Sequence, residues 1–176
     1  MTLMTPAKLE FALTELATLL NTANIEADFY LVGGAAMSIG YMPDRRMTND
    51  VDAKVKNFDS IQPFVIQIAK QHGLANDWIN TAVSKLISQM AGDVDWVLWT
   101  TSGGVRYYIA GPELMLAMKV AASRPSKDAI DIAKLIEHLE ISSVAHVEYL
   151  FEKYFPGEVL PQKASRLLSV LLDDVN

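Results

Sequence analysis

The sequence predicts an α/β chain, on three observations. A helical stripe opens it, short runs of aromatic and β-branched residues alternate with further helices as far as about residue 110, and helical periodicity alone follows. At 176 residues there is material for one substantial core but not for two full domains, so a single domain with one site is expected.

Pro6 suits the first turn of a helix over about 6–22, with Leu9, Leu13, Leu16 and Leu20 on one stripe. Phe29, Tyr30, Leu31 and Val32 read as a short buried strand, about 28–32, that stops at Gly33-Gly34. Ala35 to Tyr41 is a short helix candidate, followed by the polar loop Pro43-Asp44-Arg45-Arg46. Between Asp50 and Lys56 apolar Val51, Ala53 and Val55 alternate with charged Asp50, Asp52, Lys54 and Lys56, as in a strand with one wet face. Asp59 and Gln62 resemble a capping box for a helix ending at Gly73. Residues 78–90 carry no firm pattern, whereas Val94–Trp99 and Val105–Ile109 read as a β-hairpin. Pro112 opens a helix that Arg124-Pro125 ends. Ser126 then caps a helix with Ile130, Ala133, Leu135 and Ile136 inward, and helices over about 143–154 and 161–172 complete the chain.

Composition narrows the function classes. Without cysteine there is neither a disulfide scaffold nor a thiolate metal site, which fits a reducing compartment. No apolar run approaches the roughly 18 residues that cross a bilayer, and the N-terminus lacks a signal core, so a cytoplasmic protein with no membrane partner is expected. A net charge of −6 argues against indiscriminate coating of nucleic acid, which needs many phosphate-neutralising cations.

Chemistry concentrates in Gly33-Gly34, Arg45 or Arg46, Thr48, and Asp50 with Asp52. A glycine pair between strand and helix lets backbone amides approach a phosphate, and the helix N-terminus adds partial positive charge. Aspartates two apart on a strand point the same way with α-carbons about 6.5–7 Å apart, so both can reach one hard cation. Mg²⁺ suits such a pair, because it binds through one or two carboxylates plus substrate phosphates.

Leu31-Val32-Gly33-Gly34-Ala35-Ala36, followed by Arg45-Arg46-Met47-Thr48-Asn49-Asp50-Val51-Asp52, resembles the signature of the minimal nucleotidyltransferases. The AbiEii-like group of bacterial toxin-antitoxin and abortive-infection systems is especially similar. Its downstream motif is similar to Pro112-Glu113-Leu114-Met115-Leu116-Ala117-Met118-Lys119 with Ala121-Ala122, Arg124, Lys127, Asp128 and Asp131. The resemblance implies a mixed β-sheet flanked by helices, with a core at about 25–110 and a helical C-terminal part at about 112–176. It also implies Mg²⁺-dependent transfer of a nucleoside monophosphate from a nucleoside triphosphate to an RNA or protein hydroxyl, and a cognate toxin or antitoxin partner. Asp50 and Asp52 would be metal ligands, with Lys119 near the phosphates and Asp128 a further site residue. Active members often place a third carboxylate on a neighbouring strand, and Asp95 is the nearest candidate here; many have Gly-Ser where this chain has Gly33-Gly34.

Each feature has a plainer reading. A glycine pair alone is usually a turn, and a charged strand face can be a solvated edge. Lys119 could snorkel from an apolar helix to water, and Arg124, Lys127, Asp128 and Asp131 could be helix-end charges. Trp78, Trp96 and Trp99 read as core or groove aromatics, and His72, His138 and His146 share no metal-ligand spacing. The competing function is a binding or regulatory module that keeps the fold without catalysis.

Overall fold

The computed structural model describes residues 4–45, 48–87, 89–122 and 124–173, which form two compact units. Residues Met1–Lys85 with Trp96–Ala110 make the first, and Leu86–Asp95 with Gly111–Asn176 the second.

In the first unit Pro6 begins helix α1 (Pro6–Thr22), where its missing N–H is no loss, and the Thr5 hydroxyl accepts from the Lys8 amide as the N-cap. Leu9, Leu13, Leu16 and Leu20 are all buried, as their spacing predicts. Strand β1 (Ala27–Leu31) leads into α2 (Gly33–Gly40), so the glycine pair lies in the first turn of a helix that starts two residues earlier than expected. Strand β2 (Val51–Val55) follows, then α3 (Phe58–His72), whose C-cap Gly73 takes a left-handed φ of 63°. Asn57, itself left-handed, begins α3 without a side-chain cap bond, so the expected Asp59–Gln62 box does not form the terminus. The unassigned stretch contributes β3 (Ile79–Asn80) and a 3₁₀ turn at Ala82–Lys85.

Strands β4 (Trp96–Ser102) and β5 (Val105–Ala110) form the hairpin, shifted by a few residues from its predicted bounds. The sheet is mixed, in the order β3-β2-β1-β5-β4. β1 runs antiparallel to β2 and parallel to β5, β2 pairs parallel with β3, and β4 pairs antiparallel with β5. Because successive side chains alternate, Phe29, Leu31, Val51, Ala53, Val105, Tyr107 and Ile109 share one buried face. The helices α1, α2 and α3 belong to that side: the Tyr107 hydroxyl donates to the Leu13 carbonyl at 2.8 Å, and the Trp78 indole to the Val65 carbonyl at 3.0 Å. Tyr41, just after α2, donates to the Ala110 carbonyl at 2.7 Å, and burial pushes its phenol up to about 12, so it remains a donor. The other face carries Asp28, Tyr30, Asp52, Lys54, Arg106 and Tyr108.

The second unit is helical: α4 (Pro112–Ala122), α5 (Pro125–His138), α6 (Val144–Tyr154) and α7 (Gln162–Asp173). α4 packs on α5 and α6, and α7 on both α5 and α6. Pro125 rather than Ser126 opens α5, in keeping with the preference of proline for the first helical position. Ile130 is 59% exposed instead of inward, because the buried stripe of α5 runs through Asp128, Asp131, Ile132, Leu135 and Ile136.

Leu16 is fully buried in the stripe of α1. Leu16→Ala is expected to lower unfolding free energy by about 2–5 kcal/mol through lost transfer energy and the cavity left behind, measured by denaturant titration.

Candidate functional site

The register Leu31↔Ala53 sets Asp52 against Val32, whose amide donates to the Asp52 carbonyl at 2.9 Å. The next residue, Gly33, has φ 64°, and a Cβ there would stand only 2.6 Å from Asp52 Oδ2. Glycine is therefore required twice, for the left-handed backbone and for the space the carboxylate occupies. Gly34 plays a similar part: a Cβ on it would meet Arg45 Nη1 at 3.0 Å and Thr48 Oγ1 at 3.1 Å. The Thr48 hydroxyl donates to the Asp50 carbonyl at 2.9 Å, fixing the backbone just ahead of β2.

Five of the sequence-predicted residues, Gly33, Gly34, Arg45, Thr48 and Asp52, thus meet at the start of α2, with Asp50 two positions before Asp52. Arg46 lies outside the described residues. The sequence reading missed Asn80, which pairs with Asp52 across β2 and β3 and donates its amide to Asp52 Oδ1 at 2.9 Å. Its own carbonyl oxygen accepts from the Ala82 amide at 3.0 Å, which sets the orientation of the side chain. No local pattern announces Asn80, because the contact depends on pairing two segments 28 positions apart.

Among the described residues no group of three or more His, Cys, Asp or Glu side chains is placed to hold a metal ion. Asp50 lies just ahead of β2 and Asp52 on it, and carboxylates are the donors a hard divalent cation takes, with its other oxygens from substrate phosphates and water. Asp52 itself is positioned by the Asn80 amide on Oδ1, with Oδ2 lying where a Cβ on Gly33 would stand.

The remaining candidates belong to the second unit. Asp95 is in a 3₁₀ turn (Asp93–Asp95) rather than on a strand, and Val94 beside it is 93% exposed. The turn is closed locally: the Asp95 amide donates to the Gly92 carbonyl, and the Gly92 amide to Asp95 Oδ2 at 2.8 Å. Asp95 Oδ1 accepts from the Tyr154 hydroxyl at 2.6 Å. Burial first, and then that carboxylate, push the Tyr154 phenol up to about 12, so it stays a donor at neutral pH.

Lys119 does not snorkel to water. It is 4% exposed and its ammonium lies 2.9 Å from Asp128 Oδ1 and 2.7 Å from Asp131 Oδ2. Arg124 Nε donates to Asp128 Oδ2 at 2.9 Å, so two buried carboxylates face two cations across α4 and α5. Asp128, in the first turn of α5, and Asp131 are thus both buried ion-pair partners.

Over residues 7–158 the chain matches the model of a family described as "Nucleotidyltransferase of unknown function (DUF6036)". Among solved structures it is similar to an antigenic nucleotidyltransferase-like protein from Paracoccidioides brasiliensis. The identity is 16% and the TM-score 0.52, over 98% of this chain and 91% of that one, which is a likeness of fold. No curated protein matches the chain.

Two contrasts test this geometry. Gly33→Ala and Gly73→Ala both put a Cβ on a left-handed residue, at about 1–2 kcal/mol, but only Gly33 has an atom within 4 Å of the added carbon. Thermal unfolding should therefore show the larger loss for Gly33→Ala. Lys119→Met removes the buried ammonium that Asp128 and Asp131 share and should cost about 3–5 kcal/mol. Lys153→Met, which removes the exposed pair with Glu113, should cost less than about 1 kcal/mol in the same assay.

Proposed function

The chain belongs to the nucleotidyltransferase family DUF6036, and on that premise we propose that it transfers a nucleoside monophosphate from a nucleoside triphosphate to a hydroxyl group with the help of Mg²⁺. The observation that carries the proposal is the convergence of Asp52, Arg45 and Thr48 on the two glycines at the start of α2.

In this reading Asp50 and Asp52 would hold the cation, and the Asn80 amide on Oδ1 fixes the orientation of the Asp52 carboxylate. When bound, Mg²⁺ supplies charge neutralisation at the triphosphate. The first amides of α2, with Val32 as an N-cap lacking a side-chain cap bond, offer donors and partial positive charge to phosphate oxygens. Arg45 adds a fixed cation beside them. The acceptor oxygen bonds to the α-phosphorus as its bond to the β-phosphate oxygen breaks; pyrophosphate leaves and the hydroxyl proton passes to water. The chain's contribution is positioning and charge stabilisation.

Motif resemblance supports an acceptor hydroxyl on RNA or protein, and a place in an AbiEii-like toxin-antitoxin pair. Lys119 and Asp128 belong to that same resemblance. For Lys119 to contact a phosphate directly, its pairs with Asp128 and Asp131 would have to open.

Incubation with triphosphates labelled at the α-phosphate, Mg²⁺, and RNA or protein acceptors should transfer label to the acceptor. Asp52→Asn should reduce transfer by at least about 100-fold, and Asn80→Ala, acting through Asp52, by about 10–100-fold. Nucleotide binding with no transfer and no dependence on Mg²⁺ would instead identify a non-catalytic binding module.

A further inference from the structure

We propose that the face of the sheet bearing Asp52 contains the subsite for the base of the nucleoside triphosphate, built from Tyr30, Tyr108 and Trp96. Tyr30 and Tyr108 are neighbours on the parallel strands β1 and β5, their rings stacked with centroids 5.0 Å apart and planes at 12°. Trp96, on β4, packs edge-on against Tyr30 at 5.0 Å and 68°. All three are partly exposed, although rings of this size are ordinarily taken into a core, and the core of this unit lies on the opposite face.

Placement identifies the ligand. Tyr30 is paired with Lys54, so Asp52 is its diagonal neighbour on the same face, about 7–8 Å away between α-carbons. A single nucleotide can bridge that interval, with phosphates at Gly33, Gly34 and Asp52 and the base against the rings. Lys54, exposed on the same face, adds a cation beside the stack. An extended nucleic-acid strand is less well served. The next cation on this face, Arg106, is already held by Asp28 through two hydrogen bonds of 2.5 and 2.9 Å, and the chain as a whole carries a charge of −6.

The cluster is not visible along the chain, because no interleaving of aromatic and basic residues accompanies Trp96. Its partners lie across the strands, and strand pairing alone makes Tyr30, Tyr108, Lys54 and Trp96 adjacent.

The assignment rests on the nucleotidyl-transfer reading, and its test separates the two. Calorimetry on the full chain with Mg²⁺ should compare ATP and UTP with inorganic tripolyphosphate, which has the phosphates without a base. Tyr30→Ala and Trp96→Ala should each weaken nucleoside triphosphate binding by about five- to a hundredfold, the range for loss of one stacking partner, and leave tripolyphosphate unchanged. Tyr30→Phe, which keeps the ring, should bind within about twofold of the parent and guards against misfolding of the alanine variant. Asp52→Asn should weaken both ligands. Unchanged nucleotide affinity in Tyr30→Ala and Trp96→Ala, with loss in Asp52→Asn, would overturn the base subsite and leave the transfer reading standing. Absence of binding by any triphosphate to the parent would overturn both. Weakened binding of a short oligouridylate with unchanged triphosphate affinity would move the rings to an acceptor and overturn the assignment.

Discussion

The arrangement depends on the contact between the backbone of Gly33 and the carboxylate of Asp52. The antiparallel register of β1 and β2 brings the chain out of β1 directly opposite Asp52, and there it must turn into α2. A left-handed residue makes the turn, and the missing Cβ leaves room for a carboxylate oxygen. Shifting β2 by one residue would carry Asp52 and Lys54 to the helix-covered face and take Val51 and Ala53 out of the core, so the packing that holds the sheet also holds Asp52 at the turn. Turn and register are therefore mutually dependent. Gly34 extends the same logic, with Arg45 and Thr48 filling the space a side chain would take.

Alternation in the strands divides the labour. Residues facing α1, α2 and α3 are buried and apolar, and they stabilise the sheet through packing and through hydrogen bonds such as Tyr107 to Leu13. Their neighbours on the same strands are Asp52, Tyr30, Tyr108 and Arg106, which contribute charge and aromatic surface. β1 stands at the middle of the five strands, with β2 on one side and β5 on the other, so the site is built on the most constrained part of the sheet.

Where a signal is carried by neighbours in the chain, the sequence was sufficient. The leucine stripe of α1, the alternation from Asp50 to Lys56, the glycine pair and the helix opened by Pro112 all found their places, as did the mixed sheet that the motif resemblance implied. Features made by distant pairing were not legible. β3 has only two residues, too few for any periodicity, yet it brings Asn80 to Asp52. Val94, Trp96 and Leu98 alternate with Asp95 as in a strand, whereas hydrogen bonds between Asp95 and Gly92 hold a turn. Ile130 differs for another reason: the buried stripe of α5 takes Asp128 and Asp131 together with Ile132, Leu135 and Ile136, and Ile130 falls outside it.

Those buried charges also distinguish two uses of acidic residues. Asp128 and Asp131 are nearly sealed from water and are met by the Lys119 ammonium, with the Arg124 guanidinium also on Asp128. A pair in that setting is costly to break, because removing one partner leaves the other charged in a poor solvent. It therefore serves to fix how α4 meets α5. Asp52 is only partly buried, with the Asn80 amide on one oxygen and Gly33 close to the other, so its charge is not sealed from water. The two settings therefore make different demands on a carboxylate: at α4–α5 it is met by buried cations, and at the start of α2 it lies against a glycine at a turn that water reaches.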